Sequence, residues 1–204
     1  MQILLPIHIL AGTIALLCAA LTVLSEKGQR VHVVSGRAYF WAMATIFLTA
    51  IPMSIISSNV FLFLVAIFSF YLAFAGMRFA KNRTGIAATS DWLAVSFMGL
   101  SGLGMLILAA IYFANDNSRY IVLLVFGFLA IALGYGDLTS YINKTATGKE
   151  RISRHLTNML GGTIAVVTAF LVTVVELKPA WVLWVLPTVL VTPVIFWWNR
   201  KILR

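Results

Sequence analysis

Charge is scarce in this chain. Only 10% of its 204 residues are Asp, Glu, Lys or Arg, whereas 61% are hydrophobic. A soluble globular domain runs near a quarter charged and about half apolar. The polar surface needed to cover a water-soluble body is therefore missing, and a mean hydropathy of +0.98 says the same. The solvent that fits is lipid. A bilayer core about 30 Å thick takes roughly 20 apolar residues per helical span, so the length allows about eight spans and no separate soluble catalytic module.

Other scarcities narrow the chemistry. Cys18 is the single cysteine, which excludes an intrachain disulfide, a cysteine-based zinc knuckle and an iron–sulfur cluster. The chain carries no P-loop, no G-x-S-x-G elbow and no H-E-x-x-H, which argues against nucleotide-driven pumping and against hydrolysis. The last apolar run, 179–198, has neither lysine nor histidine. A retinal Schiff base is thereby excluded, as is the histidine pair of seven-helix zinc hydrolases. Charge in mid-span is almost absent, which leaves neutral or hydrophobic solutes, lipids or quinones as compatible cargo.

What is present is a series of seven apolar runs at 3–25, 34–56, 60–77, 92–114, 119–138, 156–175 and 179–198. Each is long enough to cross a bilayer as a helix. None alternates apolar and polar residues as a barrel strand does. The expected fold is an all-α membrane protein, a bundle of seven transmembrane helices forming a single transmembrane domain over 1–204. The first run has no basic lead and is longer than a signal-peptide core, so it reads as a retained span.

The cations sort by loop. Lys27, Arg30, Arg37, Arg78, Lys81, Arg83, Lys144, Lys149, Arg151, Arg154, Arg200, Lys201 and Arg204 fall on one side, and only Arg119 and Lys178 on the other. The positive-inside rule puts the crowded side in the cytoplasm, with the N-terminus outside and the C-terminus cytoplasmic. The net charge of +9 is thus a membrane signature. No basic, aromatic-interleaved surface for nucleic acid exists. Trp41, Trp92, Trp181, Trp184, Trp197 and Trp198 lie near run ends, as an interfacial belt requires.

Ionisable groups at or inside a span are costly to desolvate and are candidate functional residues. These are His8, His32, Asp91, Asp137 and His155. His8 lies near the outer end of the first run. The other four fall near one depth on the basic side, at the starts of runs 2, 4 and 6 and the end of run 5. Two imidazoles there fit the axial positions of haem b, with Arg37, Arg151 or Arg154 to pair its propionates. His32, His155, Asp91 and Asp137 equally suit a divalent metal. Each also has a plain role: Asp91 as a first-turn carboxylate, Asp137 as partner of a loop cation, the histidines as interface or packing residues. From His8 to Ser25 is about 25 Å of helix, so His8 cannot share a site with the basic-side pair.

HILAGTIALLCAA at 8–20 echoes NMLGGTIAVVTAF at 158–170, which reads as a shared small-residue packing face. At HILAGTIAL, HVVSGRAYFWAM, DLTSYIN and RHLTNMLGGTIAVVTAF the chain resembles an uncharacterised family of bacterial polytopic membrane proteins, known as a domain of unknown function. The matching residues are His8, His32, Gly36, Arg37, Tyr39 and His155. The resemblance covers most of the chain and implies a multi-pass protein of the bacterial inner membrane with a shared polar site. Three readings of function follow. One is a redox-linked protein with haem or a metal at a cytoplasm-side histidine site. The second is a small permease or lipid- or quinone-binding protein, and the third an accessory subunit of a membrane partner.

Overall fold

A computed structural model describes residues 1–204 as seven α-helices with no strand: α1 (Leu4–Leu24), α2 (Arg30–Ile56), α3 (Val60–Lys81), α4 (Thr89–Ala114), α5 (Tyr120–Ile142), α6 (Gly148–Val174) and α7 (Trp181–Leu203). Each is long and apolar enough to cross a membrane. The chain is a multi-pass integral membrane protein in fold. Helices are the form that lets an isolated span satisfy its backbone hydrogen bonds in lipid.

Several helices run past the apolar stretch that marks them in the sequence. α2 begins at Arg30, four residues ahead of its run, and α6 at Gly148, eight ahead. Apolarity delimits the lipid-embedded part, whereas the hydrogen-bond ladder continues as long as side chains can reach water. In GKERISRH at 148–155, Lys149 is exposed, whereas Arg151 and Arg154 are half-buried and find polar partners within the protein. The consequence for the candidate residues is direct. His155 stands two turns inside α6 instead of ahead of it, His32 is the third residue of α2, and Asp137 lies five residues before the end of α5.

The chain forms two compact units, Met1–Ala66 and Ile67–Arg204. In the first, α1 packs along α2. The buried side of α1 is Ala11, Ala15 and Ala19 at four-residue spacing, a small-residue face that lets two backbones approach in lipid. Leu10, Leu17 and Leu21 on α1 are exposed, as lipid-facing residues should be.

In the second unit, α4 packs on α5, α6 on α7, and α7 also touches α5. Glycine makes the α4–α5 approach possible. A Cβ at Gly102 would sit 3.0 Å from Ala130 Cβ, and one at Gly127 would sit 2.8 Å from Leu106 and 3.2 Å from the Gly102 carbonyl oxygen. Leu160, Ile164 and Ile195 form a small apolar core between α6 and α7. Phe68 stacks on Phe126 with ring centroids 5.4 Å apart, which ties α3 to α5.

Candidate functional site

Polar side chains inside these units divide into neutral stitches and buried charge. In the first unit all of them are neutral or reach the surface. The His8 Nδ1 lies 2.9 Å from the Thr49 hydroxyl, which itself points at the carbonyls of Thr45 and Ile46. About 21 Å along α1, the Thr22 and Ser35 hydroxyls pair at 2.7 Å, and His32 Nδ1 donates to the Thr22 carbonyl at 3.1 Å. Lys27 donates to the carbonyls of Thr22, Val23 and Ser25, covering acceptors that a helix C-terminus leaves open. Arg37 is exposed on α2.

The second unit buries two carboxylates, Asp91 and Asp137, each 1% exposed. Asp91 is in the first turn of α4, where a carboxylate meets unsatisfied N–H groups and the positive helix end. Its Oδ2 accepts the Ala88 backbone N–H at 2.9 Å. Arg78, near the end of α3, clasps it with both arms: Nε to Oδ1 at 2.6 Å and Nη2 to Oδ2 at 2.8 Å. This fork geometry is the strongest form of an arginine–carboxylate pair.

Asp137 is held differently. Tyr71 on α3 donates to Oδ2 at 2.7 Å, and Asn158 on α6 donates its amide to Oδ2 at 3.1 Å. The cation, Arg154, approaches Oδ1 only to 3.5 Å, an ion pair without a hydrogen bond. Its Nε lies 3.5 Å from Glu150, one turn back on α6 and 37% exposed. Arg154 is thus shared between a buried carboxylate and one at the surface. Glycine leaves room for it: a Cβ on Gly136 would fall 2.5 Å from Arg154 Nη1. The Asn158 Oδ1 is buried and accepts no hydrogen bond, so the network holds an open acceptor beside Asp137.

The surroundings bring the two carboxylates into one end of the unit. Tyr141 stacks on Phe79 at 5.2 Å, meets Trp92 edge-on at 6.1 Å, and lies within electrostatic reach of Asp91, Asp137, Arg78 and Arg154. His155 Nδ1 donates to the Gly76 carbonyl at 2.8 Å. That contact needs α3 and α6 to come close, and a Cβ on Gly76 would meet Met159 at 2.8 Å. Arg151 donates to the carbonyls of Phe79 and Ala80, closing the end of α3.

Of the residues expected to matter, Asp91, Asp137, Arg154 and His155 share this end of the second unit, whereas His32 and Arg37 belong to the first unit. Asp137 faces Arg154, Tyr71 and Asn158; its cation comes from the polar segment expected as a loop, which α6 carries as helix. For both His32 and His155 the partner of Nδ1 is a backbone carbonyl, so Nδ1 is the donor. Histidine, cysteine and carboxylate side chains do not gather in a set of three or more that could hold a metal ion.

Tyr71, Asn158, Gly76, Gly136, Arg78 and Glu150 complete the site without having stood out in the sequence. One signal for them was present. Glu150, Arg154 and Asn158 recur at four-residue spacing and so form a stripe on one helix face. It is visible only if α6 starts at Gly148. Comparison with protein-family models, curated proteins and solved structures finds no match to this chain.

Proposed function

We propose that this is a small proton-linked permease of the bacterial inner membrane, its N-terminus outside and its C-terminus cytoplasmic, with Asp137 as the group that takes up and releases the proton. The cation distribution along the sequence supports the orientation. One observation carries the functional reading: a carboxylate 1% exposed inside a span, whose only cation stands at 3.5 Å and is shared with a second carboxylate at the surface. Intramembrane carboxylates in such company mark proton relays and solute paths.

The proposed cycle uses this chain's own groups. With Asp137 ionised, the Tyr71 hydroxyl, the Asn158 amide and the Arg154 charge compensate it. A proton arriving on the carboxylate cancels that attraction. Arg154 then turns to Glu150, and the α5–α6 contact at Gly136 loosens. Loss of the proton draws Arg154 back. A two-partner arginine supplies the bistable element that switching requires. The open acceptor on Asn158 would take a hydrogen bond from a hydroxyl-bearing solute or a water once the loosened α5–α6 contact admits it.

Infrared difference spectra between acidic and alkaline pH, taken on protein in lipid, test the proton site. The carboxyl band that appears on acidification is expected to vanish in Asp137→Asn and to persist in Asp91→Asn. A band unchanged in Asp137→Asn contradicts the reading.

A second reading keeps haem b or a divalent metal as a cofactor with a redox partner. The contacts at Nδ1 support it: His32 and His155 each bond a backbone carbonyl there, the kind of second contact that orients ligand-forming imidazoles. An absorption spectrum and metal analysis of purified protein decide it. A Soret band or stoichiometric metal lost in His32→Ala or His155→Ala favours this reading; neither signal removes it.

A further inference from the structure

The proposed proton site leaves α7 unused, yet the basic end of α7 carries a feature of its own. Between α5 and α7 runs a groove of about 790 Å³ lined by Val125, Leu129, Thr188, Thr192, Phe196 and Arg200, among others. Four of these, Thr188, Thr192, Phe196 and Arg200, recur every four residues and so stand in line on one face of the helix. The line is about 18 Å long at 1.5 Å per residue. One leaflet of a hydrocarbon core about 30 Å thick is about 15 Å deep. The groove is therefore one acyl chain long.

Its two ends differ in kind. The walls toward the middle of the helix are Val, Leu and Thr. At the end stand Arg200, which lines the groove, and Lys201, whose ammonium lies 5.8 Å from the centre of the Trp197 ring. α7 contains no acidic residue that would neutralise these cations from their own helix. Trp197 also lines the groove and is 63% exposed, the position of an indole at the headgroup level. Basic pockets between spans at this depth recognise anionic headgroups.

We infer that this groove is a binding site for one anionic glycerophospholipid, one of its two acyl chains along Thr188–Phe196 and its phosphate on Arg200 and Lys201. The apolar length and the cationic end together are complementary to that molecule, whereas a soluble anion would meet the cationic end alone. A zwitterionic lipid fits the groove but gains less from the two cations, so selectivity resides at the headgroup.

Native mass spectrometry of the full chain released from nanodiscs with equal phosphatidylglycerol and phosphatidylcholine tests this. One phosphatidylglycerol is expected to stay bound in preference to phosphatidylcholine. Each cation near a membrane surface contributes about fivefold toward an anionic lipid. Arg200→Gln is thus expected to reduce the preference about fivefold, and the Arg200→Gln, Lys201→Gln double variant about 25-fold. Lys149→Gln, an exposed cation elsewhere, is expected to leave it unchanged. Thr192→Trp, which fills the groove and keeps both cations, is expected to abolish retention of any single lipid. No preference in the wild type, a full preference in the double variant, or a second copy of the chain in place of lipid overturns the proposal.

Discussion

Two arginine–carboxylate pairs lie at the same end of the second unit, and they make a natural controlled comparison. Each carboxylate is 1% exposed, and the arginines are nearly matched, with side chains 26% and 24% exposed. Burial does not distinguish them; geometry does. Arg78 holds Asp91 through two hydrogen bonds of 2.6 and 2.8 Å, and the same carboxylate closes the first turn of α4. Arg154 reaches Asp137 at 3.5 Å and Glu150 at 3.5 Å. The first pair has one arrangement. The second has two partners for one cation, so its state depends on which carboxylate carries charge. A buried ion pair is costly to assemble and costlier to leave half-broken; the first pair spends that cost on fixing α3 to α4, whereas the second keeps it adjustable.

The largest effect is expected at the tight pair. Arg78→Gln leaves Asp91 buried without its cation, and losing one partner of a buried pair costs about 3–5 kcal/mol. Unfolding of the detergent-solubilised protein by heat or denaturant should show that loss. At the adjustable pair, Arg154→Gln is expected to cost less than half as much. Asp137 keeps the Tyr71 and Asn158 donors, and a carboxyl that can take a proton escapes the penalty of an isolated charge. Equal losses in the two variants would erase the distinction.

A subtler change separates stability from switching. Gly136→Ala places a methyl where Arg154 Nη1 lies and pushes the guanidinium toward Glu150. Alanine gains about 1 kcal/mol over glycine in a helix interior, which offsets the displacement. The melting temperature should hardly move, while the acid-induced infrared band assigned to Asp137 should shift. The smallest measurable loss of stability belongs to the neutral stitches of the first unit. Thr49→Val removes the partner of His8 at a cost of about 0.6 kcal/mol, the average for a hydrogen bond between spans, measured by the same unfolding assay.

The seven helices were legible because apolar runs of membrane length need no tertiary information. Their polar extensions were not. α6 from Gly148 to His155 reads as loop by hydropathy, since Lys149, Glu150, Arg151 and Arg154 look solvated until the helix that carries them is known. With that segment taken as loop, the stripe of Glu150, Arg154 and Asn158 is hidden. Asp137 and Asp91 were visible because a carboxylate at a span is expensive wherever it lies. Tyr71 was not, because its hydroxyl sits in FSFYLAF, where aromatic residues read as core, and only the α3–α5 contact shows which ring turns a polar atom inward. Gly76 and Gly136 likewise gain meaning from a neighbour, Met159 and Arg154, that the local sequence does not contain.

The most direct test sets the two arginines side by side. Nuclear magnetic resonance of protein with labelled arginine side chains, in lipid or detergent, resolves the Nε–H signal of each, assigned with Arg78→Lys and Arg154→Lys. Across a pH titration, the Arg154 signal should move, Asp137→Asn should fix it in its acid position, and the Arg78 signal should stay in place throughout. An Arg154 signal that ignores both pH and Asp137→Asn, or an Arg78 signal that moves in step with it, would contradict the account.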